Sequence, residues 1–176
     1  LVTPAAKCCG AVQQHLSDPQ GALAQARANI DAWWPWVEKK QIEAIISTAS
    51  GCGVMVKDYG HLLRHEPAYA ERASAISALA RDLSELLPDL LPELSERLQG
   101  RLQVPDAPVA YHPPCTLQHG QKLRGSVEAS LRQLGFDIRV SRVESHLCCG
   151  SAGTYSVLQP EISHQLRERK LGTLHE

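Results

Sequence analysis

The chain has 176 residues, with 18 Lys and Arg against 19 Asp and Glu, a formal net charge of −1 and a pI near 6.8. This balance gives no basic face for nucleic acid, and no apolar run approaches the ~18 residues that a membrane span needs. Six cysteines without a charged-then-apolar leader favour reduced thiols in the cytoplasm over a secreted disulfide framework.

The first half of the chain combines amphipathic helices with one short buried strand. Apolar residues at helical spacing predict helices over residues 20–40, 54–65 and 69–87. Pro35 is expected to kink or end the first helix early, and Pro88 and Pro92 to break the last into shorter pieces. The apolar run 43–49 predicts a buried strand that delivers Cys52 into a glycine-rich turn.

The second half follows a Pro-bounded linker over residues 100–108 and has a simpler pattern. We predict a strand, a helix, a strand and a helix over residues 109–112, 117–134, 136–140 and 151–174. Cys115 follows the first strand directly. This order is typical of an open α/β sheet, in which functional groups lie on loops at the carboxyl ends of parallel strands.

Two Cys-Cys-Gly tripeptides, Cys8-Cys9-Gly10 and Cys148-Cys149-Gly150, contain four of the six cysteines. Adjacent cysteines bond to each other only with strain, whereas two neighbouring thiolates can both bind one polynuclear metal centre. Thiolate is the ligand that iron–sulfur clusters and zinc select. Cys52 and Cys115 lie far from these pairs in sequence, and such spacings are unlike those of zinc fingers or of cubane ferredoxins.

The sequence around these cysteines resembles a known family. Tyr111-His-Pro-Pro-Cys115 and Ser145-His-Leu-Cys-Cys-Gly-Ser-Ala-Gly-Thr-Tyr155 are similar to the cysteine-rich CCG domain of heterodisulfide reductases, anaerobic glycerol-3-phosphate dehydrogenases and lactate-utilisation proteins. The resemblance covers nearly all 176 residues. It is strongest to the iron–sulfur subunits of glycolate oxidases, in which Ser50-Gly-Cys-Gly53 also has a counterpart.

The resemblance implies an α/β fold of two pseudo-repeated CCG units with short parallel strands flanked by helices. Residues 1–100 would be the latter part of a first unit plus a helical connection, and residues 108–176 the opening part of a second. The family's full pattern has further cysteines, which we expect before Leu1 and beyond Glu176, so we expect a piece of a longer protein. Met55 stands where a full Cys-x-x-Cys would place a cysteine.

The resemblance also implies a function in electron transfer. All six cysteines, Cys8, Cys9, Cys52, Cys115, Cys148 and Cys149, would hold iron–sulfur clusters of the 4Fe-4S type, with no catalytic side chain in this chain. A flavoprotein subunit of the same complex would oxidise glycolate, and electrons would pass through this subunit to a quinone-type acceptor. Any attachment to the inner face of the membrane would come through partners.

Three alternatives remain open from the sequence. The same thiolates could hold Zn²⁺ in a structural module that docks a catalytic partner. The pair Cys148 and Cys149 could act as a redox dithiol. The same electron-transfer role could serve lactate or glycerol-3-phosphate oxidation. We expect the nearby His112, His119 and His146 to order loops or donate ring N–H groups, not to bind metal.

Overall fold

The computed structural model describes residues 6–174, which divide into two compact units between Leu83 and Ser84. Both units combine helices with a pair of short parallel strands, which confirms the predicted α/β class. In this range no helix has the length and apolar character needed to cross a membrane.

The first unit has five helices and two strands. Its elements are α1 (Ala11–His15), α2 (Pro19–Glu38), β1 (Ile45–Ser47), α3 (Ser50–Lys57), α4 (Tyr59–Leu62), α5 (Ala70–Leu79) and β2 (Ala80–Asp82). Strands β1 and β2 pair in parallel, with Ile45 opposite Ala80. Asp18 begins α2, since its side chain accepts a hydrogen bond from the Gly21 N–H at 2.9 Å.

The core of the first unit lies between α2 and helices α3, α4 and α5. Ala22, Ala26 and Ile30 follow each other every four residues on one face of α2 and are fully buried. They belong to one apolar cluster with Tyr59 and Ile76. The first cysteine pair lies at the edge of this cluster, because Cys9 is part of it.

The second unit begins with the long helix α6 (Leu83–Leu98) and contains the other strand pair. The elements that follow are β3 (Val109–Ala110), a π-helical turn (Thr116–Gly120), α7 (Ser126–Gln133), β4 (Ile138–Arg139), α8 (Tyr155–Leu158) and α9 (Pro160–Leu174). Strands β3 and β4 are parallel, with Val109 opposite Ile138. Both chain segments that carry cysteines in this unit leave the carboxyl ends of these strands.

The structure differs from the sequence prediction at the prolines. Helix α2 continues through Pro35, and α6 continues through both Pro88 and Pro92. All three side chains are exposed. Because they face solvent, water can hydrate the backbone carbonyls that lose their helical partners, which lowers the cost of a proline inside a helix.

Two further predictions of helical continuity were wrong. The predicted helix over residues 69–87 is interrupted by β2, and the predicted helix over 117–134 is broken between the π-helical turn and α7. At the second break Lys122 and Gly125 have φ of 60° and 77°, which a right-handed helix does not allow. The predicted strands before Cys52 and Cys115 are present, although each is shorter than expected. The predicted burial of the first was wrong, since no residue of β1 is buried and Ile46 is 52% exposed.

Candidate metal centre

In the first unit the fold brings together cysteines that are distant in sequence. Cys9 lies just before α1, and Cys52 lies in the first turn of α3, directly after β1. The Cys9 thiol lies near enough to the thiols of Cys52 and Cys8 to interact with both. Burial raises the pKa of the Cys9 thiol from 9.0 to about 12, and the neighbouring thiols add to the rise.

A buried polar network fixes the backbone of this cysteine pair. The Asn29 side-chain amide donates to the Cys8 carbonyl at 2.9 Å, and its oxygen accepts the Lys7 N–H at 2.7 Å. The Tyr59 hydroxyl donates to the Cys9 carbonyl at 2.8 Å and accepts from Asn29 at 3.1 Å. Because Asn29 and Tyr59 are both fully buried, these bonds hold the two cysteines against the core.

Gly10 allows the pair to approach α2 closely. Its φ of 90° is left-handed, and a Cβ at this position would lie 2.8 Å from the carbonyl oxygen of Ala22. Only glycine meets both conditions without strain. The turn that it makes also directs the Ala11 N–H towards the sulfur of Cys9.

The second unit repeats this arrangement with its own cysteines. The thiol of Cys115, which follows β3, lies near enough to the thiols of Cys148 and Cys149 to interact with both. Burial is the main cause that raises the pKa of the Cys115 thiol. Gly150 donates its N–H to the Cys148 sulfur at 3.3 Å.

Gly150 lies against α9 as Gly10 lies against α2. Its φ is 86°, and a Cβ there would overlap the carbonyl oxygen of Ser163. The Ser163 hydroxyl in turn donates to the Gly150 carbonyl at 2.8 Å. Each Cys-Cys-Gly segment is therefore packed, through its glycine, onto the second helix after it, α2 or α9.

The histidines of the second unit differ in their roles. His119 lies between His146, whose carbonyl is 3.2 Å from Nε2, and Arg124, whose guanidinium is 3.4 Å from Nδ1. It therefore orders the loop before Cys148. His112 Nε2 is buried and has no hydrogen-bond partner, and burial followed by the charge of Lys170 lowers the pKa of His112.

A cavity of about 230 Å³ lies in the second unit, lined by residues of the loops before Cys115 and Cys148 but by none of the cysteines. It opens where β3 and β4 end, and it is lined on the two sides by Tyr111 and His112 and by Ser141 and His146. This is the edge at which open α/β sheets place their functional loops. The chain segments that carry the cysteines of this unit follow the same two strands.

The structure places all six predicted cysteines in two groups of three, one in each unit. In residues 6–174 no three Cys, His, Asp or Glu side chains already lie close enough together to hold a metal ion. Ligation of a metal would therefore require the three thiols of each group to move closer together. All six cysteines are free thiols, and five of them are at least partly buried.

Sequence reasoning missed the polar side chains that support the cysteines. Asn29, Tyr59 and Ser163 look like ordinary helix residues, and nothing in their local sequence marks them. One regularity in the sequence could have located the helix positions that the two glycines contact. These positions, Ala22 and Ser163, each stand three residues after the proline that begins their helix, Pro19 in α2 and Pro160 in α9.

The sequence is similar to known proteins. A family model described as a cysteine-rich domain, CCG, matches residues 1–57 and 109–176. The glycolate oxidase iron-sulfur subunit of Escherichia coli (strain K12) is 50% identical over 169 residues, which cover 96% of the chain and 40% of that protein. No solved structure matches the chain significantly.

More distant relatives show the same pattern of partial coverage. The probable glycolate oxidase iron-sulfur subunit of Bacillus subtilis (strain 168) is 29% identical over 99% of the chain and 37% of its own length. Lactate utilization protein A of Geobacillus thermodenitrificans (strain NG80-2) is 29% identical over 96% of the chain and 66% of its own length. The chain thus spans about two fifths of the glycolate oxidase subunits that it matches.

Proposed function

The chain belongs to the cysteine-rich CCG domain family, and we propose that it is an iron–sulfur electron-transfer part of an oxidoreductase complex. The family match confirms the resemblance predicted from the two Cys-Cys-Gly pairs. One observation carries the proposal: in each unit the fold brings a cysteine that is distant in sequence, Cys52 or Cys115, near a Cys-Cys-Gly pair.

The residues present fit a soft-metal centre. Three thiols per unit supply the donor type that iron–sulfur clusters require. The Ala11 and Gly150 N–H groups already point at sulfur, as expected for a backbone that stabilises thiolate ligands. The proposed ligands are Cys8, Cys9 and Cys52 in the first unit and Cys115, Cys148 and Cys149 in the second. We infer 4Fe-4S chemistry, which supplies reversible one-electron transfer when bound.

The chain's own residues have three tasks in this function. The cysteines bind, the buried Asn29 and Tyr59 hold the backbone of the first pair, and the glycines allow close packing onto α2 and α9. The partly buried positions of the thiols limit water at the centre, which affects its reduction potential. We propose no substrate site in this chain.

We further propose that the complex is a glycolate oxidase, in which a flavoprotein subunit donates electrons and a quinone-type molecule accepts them. The support is the 50% identity to a protein named a glycolate oxidase iron-sulfur subunit. The relatives named lactate utilization protein A are 25–29% identical, so the equivalent role in lactate oxidation has weaker support. The free thiols fit a reducing, cytoplasmic location, with any membrane contact made through partner subunits.

A structural zinc site is the second candidate, and one observation favours it. His112 has a buried Nε2 without a partner and stands three residues before Cys115 in the sequence, so the second unit contains an unpaired imidazole as well as three thiols. Zinc accepts such Cys₃His sets and is redox-silent. In this case the unit would stabilise a docking surface and transfer no electrons.

Metal analysis separates the two candidates. The protein is reconstituted anaerobically with iron and sulfide, and its iron, sulfide and zinc contents are measured together with its visible spectrum. The proposal predicts iron and sulfide in equal amounts and a visible absorption that dithionite bleaches. A colourless protein with stoichiometric zinc would overturn it.

A further inference from the structure

Helix α2 holds the first Cys-Cys-Gly segment at two points. Gly10 lies against the carbonyl of Ala22, where a Cβ would be 2.8 Å from the oxygen. The Asn29 side chain binds the Cys8 carbonyl at 2.9 Å and the Lys7 N–H at 2.7 Å. Ala22 and Asn29 are seven residues apart, which places them on the same face of the helix with a separation of about 10.5 Å along its axis. Both ends of this short segment are therefore fixed on one face of α2.

Helix α9 holds the second segment at two points with the same spacing. The Ser163 hydroxyl donates to the Gly150 carbonyl at 2.8 Å. Seven residues later, the Lys170 ammonium donates to the Glu144 carbonyl at 2.6 Å. Both helix residues are buried, with 5% and 3% of their surface exposed. The two cysteines of this segment lie between these contacts in the sequence, so α9 holds the chain on both sides of the pair.

Glu144 has a backbone conformation that needs external support. Its φ of 54° is left-handed, which costs free energy in a residue other than glycine. Its carbonyl also accepts the Leu147 N–H at 2.9 Å, which closes a turn directly before Cys148. Arg169 makes two hydrogen bonds to its carboxylate. Because a strained residue keeps its conformation only when its surroundings hold it, the contacts with Lys170 and Arg169 keep this turn in place.

We propose that α9 positions the thiols of Cys148 and Cys149 for metal binding through this two-point contact, in which Lys170 holds the turn before the pair and Ser163 holds the glycine after it. Groups that orient metal ligands without binding the metal typically change its affinity by about 10- to 100-fold when they are removed. The inference deepens the proposed function and rests on its assignment of these cysteines as ligands.

The first test measures hydrogen exchange of the metal-free chain by mass spectrometry, at the peptide that covers residues 144–150. Lys170→Met removes the hydrogen bond to the turn and keeps a buried side chain of similar length. Ser163→Ala removes the hydrogen bond to the glycine and changes no charge. In each variant we expect exchange of this peptide to be about five- to tenfold faster, because one contact that holds the segment is lost.

The second test measures the affinity for Co²⁺ from its thiolate charge-transfer absorption, in a Cys8→Ser/Cys9→Ser chain that retains the second cysteine group. Lys170→Met and Ser163→Ala should each weaken binding about tenfold. Since Lys170→Met replaces a buried ammonium with an apolar group, the resistance of the chain to urea should not fall in parallel. This difference separates the positioning of the thiols from a general loss of stability.

The matched control is Arg167→Gln, which removes an exposed charge of the same helix that binds Glu168; it should change either measurement by less than about twofold. Unchanged exchange in Lys170→Met, equally faster exchange throughout α7, or weaker Co²⁺ binding without faster exchange would overturn the proposal. If the chain with Lys170 and Ser163 intact binds no Co²⁺ at its thiols, the ligand assignment of the proposed function is refuted, and hydrogen exchange still decides whether α9 holds the segment.

Discussion

At the scale of single residues, Gly150 combines a left-handed φ with a close approach to α9, and the structure allows these two effects to be measured separately. Gly150→Ala would place a methyl group against the Ser163 carbonyl. We expect it to lower the free energy of unfolding by about 2–5 kcal/mol, from backbone strain and overpacking together. Urea unfolding measures this loss.

Gly100→Ala is the matched control. Gly100 lies in the same unit with φ of 71°, but a Cβ there would meet nothing within 4 Å. It should therefore lose only about 1 kcal/mol, from the left-handed conformation alone. Equal losses in the two variants would show that the packing of Gly150 onto the helix contributes little to the free energy of unfolding.

Tyr59 provides a second test at this scale, in the first unit. Tyr59→Phe removes the hydroxyl that donates to the Cys9 carbonyl and leaves both this carbonyl and Asn29 with one partner fewer inside the core. We expect a loss of about 1–2 kcal/mol in urea unfolding. Tyr69→Phe, which removes an exposed hydrogen bond to Asp31, should cost less than about 0.5 kcal/mol. A smaller loss for Tyr59 than for Tyr69 would contradict the supporting role of this network.

At the scale of elements, the strands that precede cysteines could be predicted from the sequence, whereas the strand that pairs with β1 was harder to find. The apolar run that ends before Cys52 indicates β1 without ambiguity. Its partner β2 is three residues long and begins directly after the last residue of α5. Ala80-Arg-Asp82 continues the helical pattern, so only the tertiary pairing with β1 makes it extended.

The contacts within each site were unpredictable for a related reason. The Cys-Cys-Gly pairs identify the donor atoms, because adjacent thiols with a following glycine are chemically unusual. By contrast, the donors to the Cys8 and Cys9 carbonyls come from α2 and α4, and their assignment requires the packing of these helices. A sequence thus predicts the ligands better than it predicts the groups that hold them.

Between elements, the ion pair of Arg27 and Glu66 joins α2 to the segment before α5. Arg27 makes two hydrogen bonds to this carboxylate, at 2.8 and 2.7 Å. They hold the pKa of Glu66 below its usual 4.5, so the stabilisation is present above the unfolded-state pKa and is lost as the pH falls through the lower, folded-state value. Both side chains are about one third exposed, so solvent screens the pair.

We therefore expect Glu66→Gln to cost about 0.5–1 kcal/mol at pH 7 and almost nothing at pH 3. Urea unfolding at the two pH values measures the difference. Glu43→Gln, which changes an exposed carboxylate of the same unit, should shift stability by less than about 0.5 kcal/mol at either pH. A Glu66→Gln cost that did not change with pH would mean that packing, not charge, joins these elements.

At the scale of the whole molecule, the two units use one design with different supports. In each unit, one cysteine follows a strand and two belong to a Cys-Cys-Gly segment whose glycine packs against a helix. The first unit encloses its pair in an apolar cluster with a neutral polar network. The second has fewer buried apolar side chains among the described residues and contains the buried Lys170. Such differences would let two similar centres hold electrons at different potentials.

Whether the six cysteines form two centres or one shared centre can be decided by counting iron. Since each unit brings its own three cysteines together, we expect Cys8→Ser/Cys9→Ser and Cys148→Ser/Cys149→Ser each to retain about half the iron of the wild type, and the fourfold variant to retain none. Anaerobic reconstitution and metal analysis provide the count, with circular dichroism to show that each variant is folded. If either double variant loses all iron, the units share one centre. If the variant at Cys148 and Cys149 keeps all of its iron, that pair is not a ligand, and the second unit serves a structural purpose.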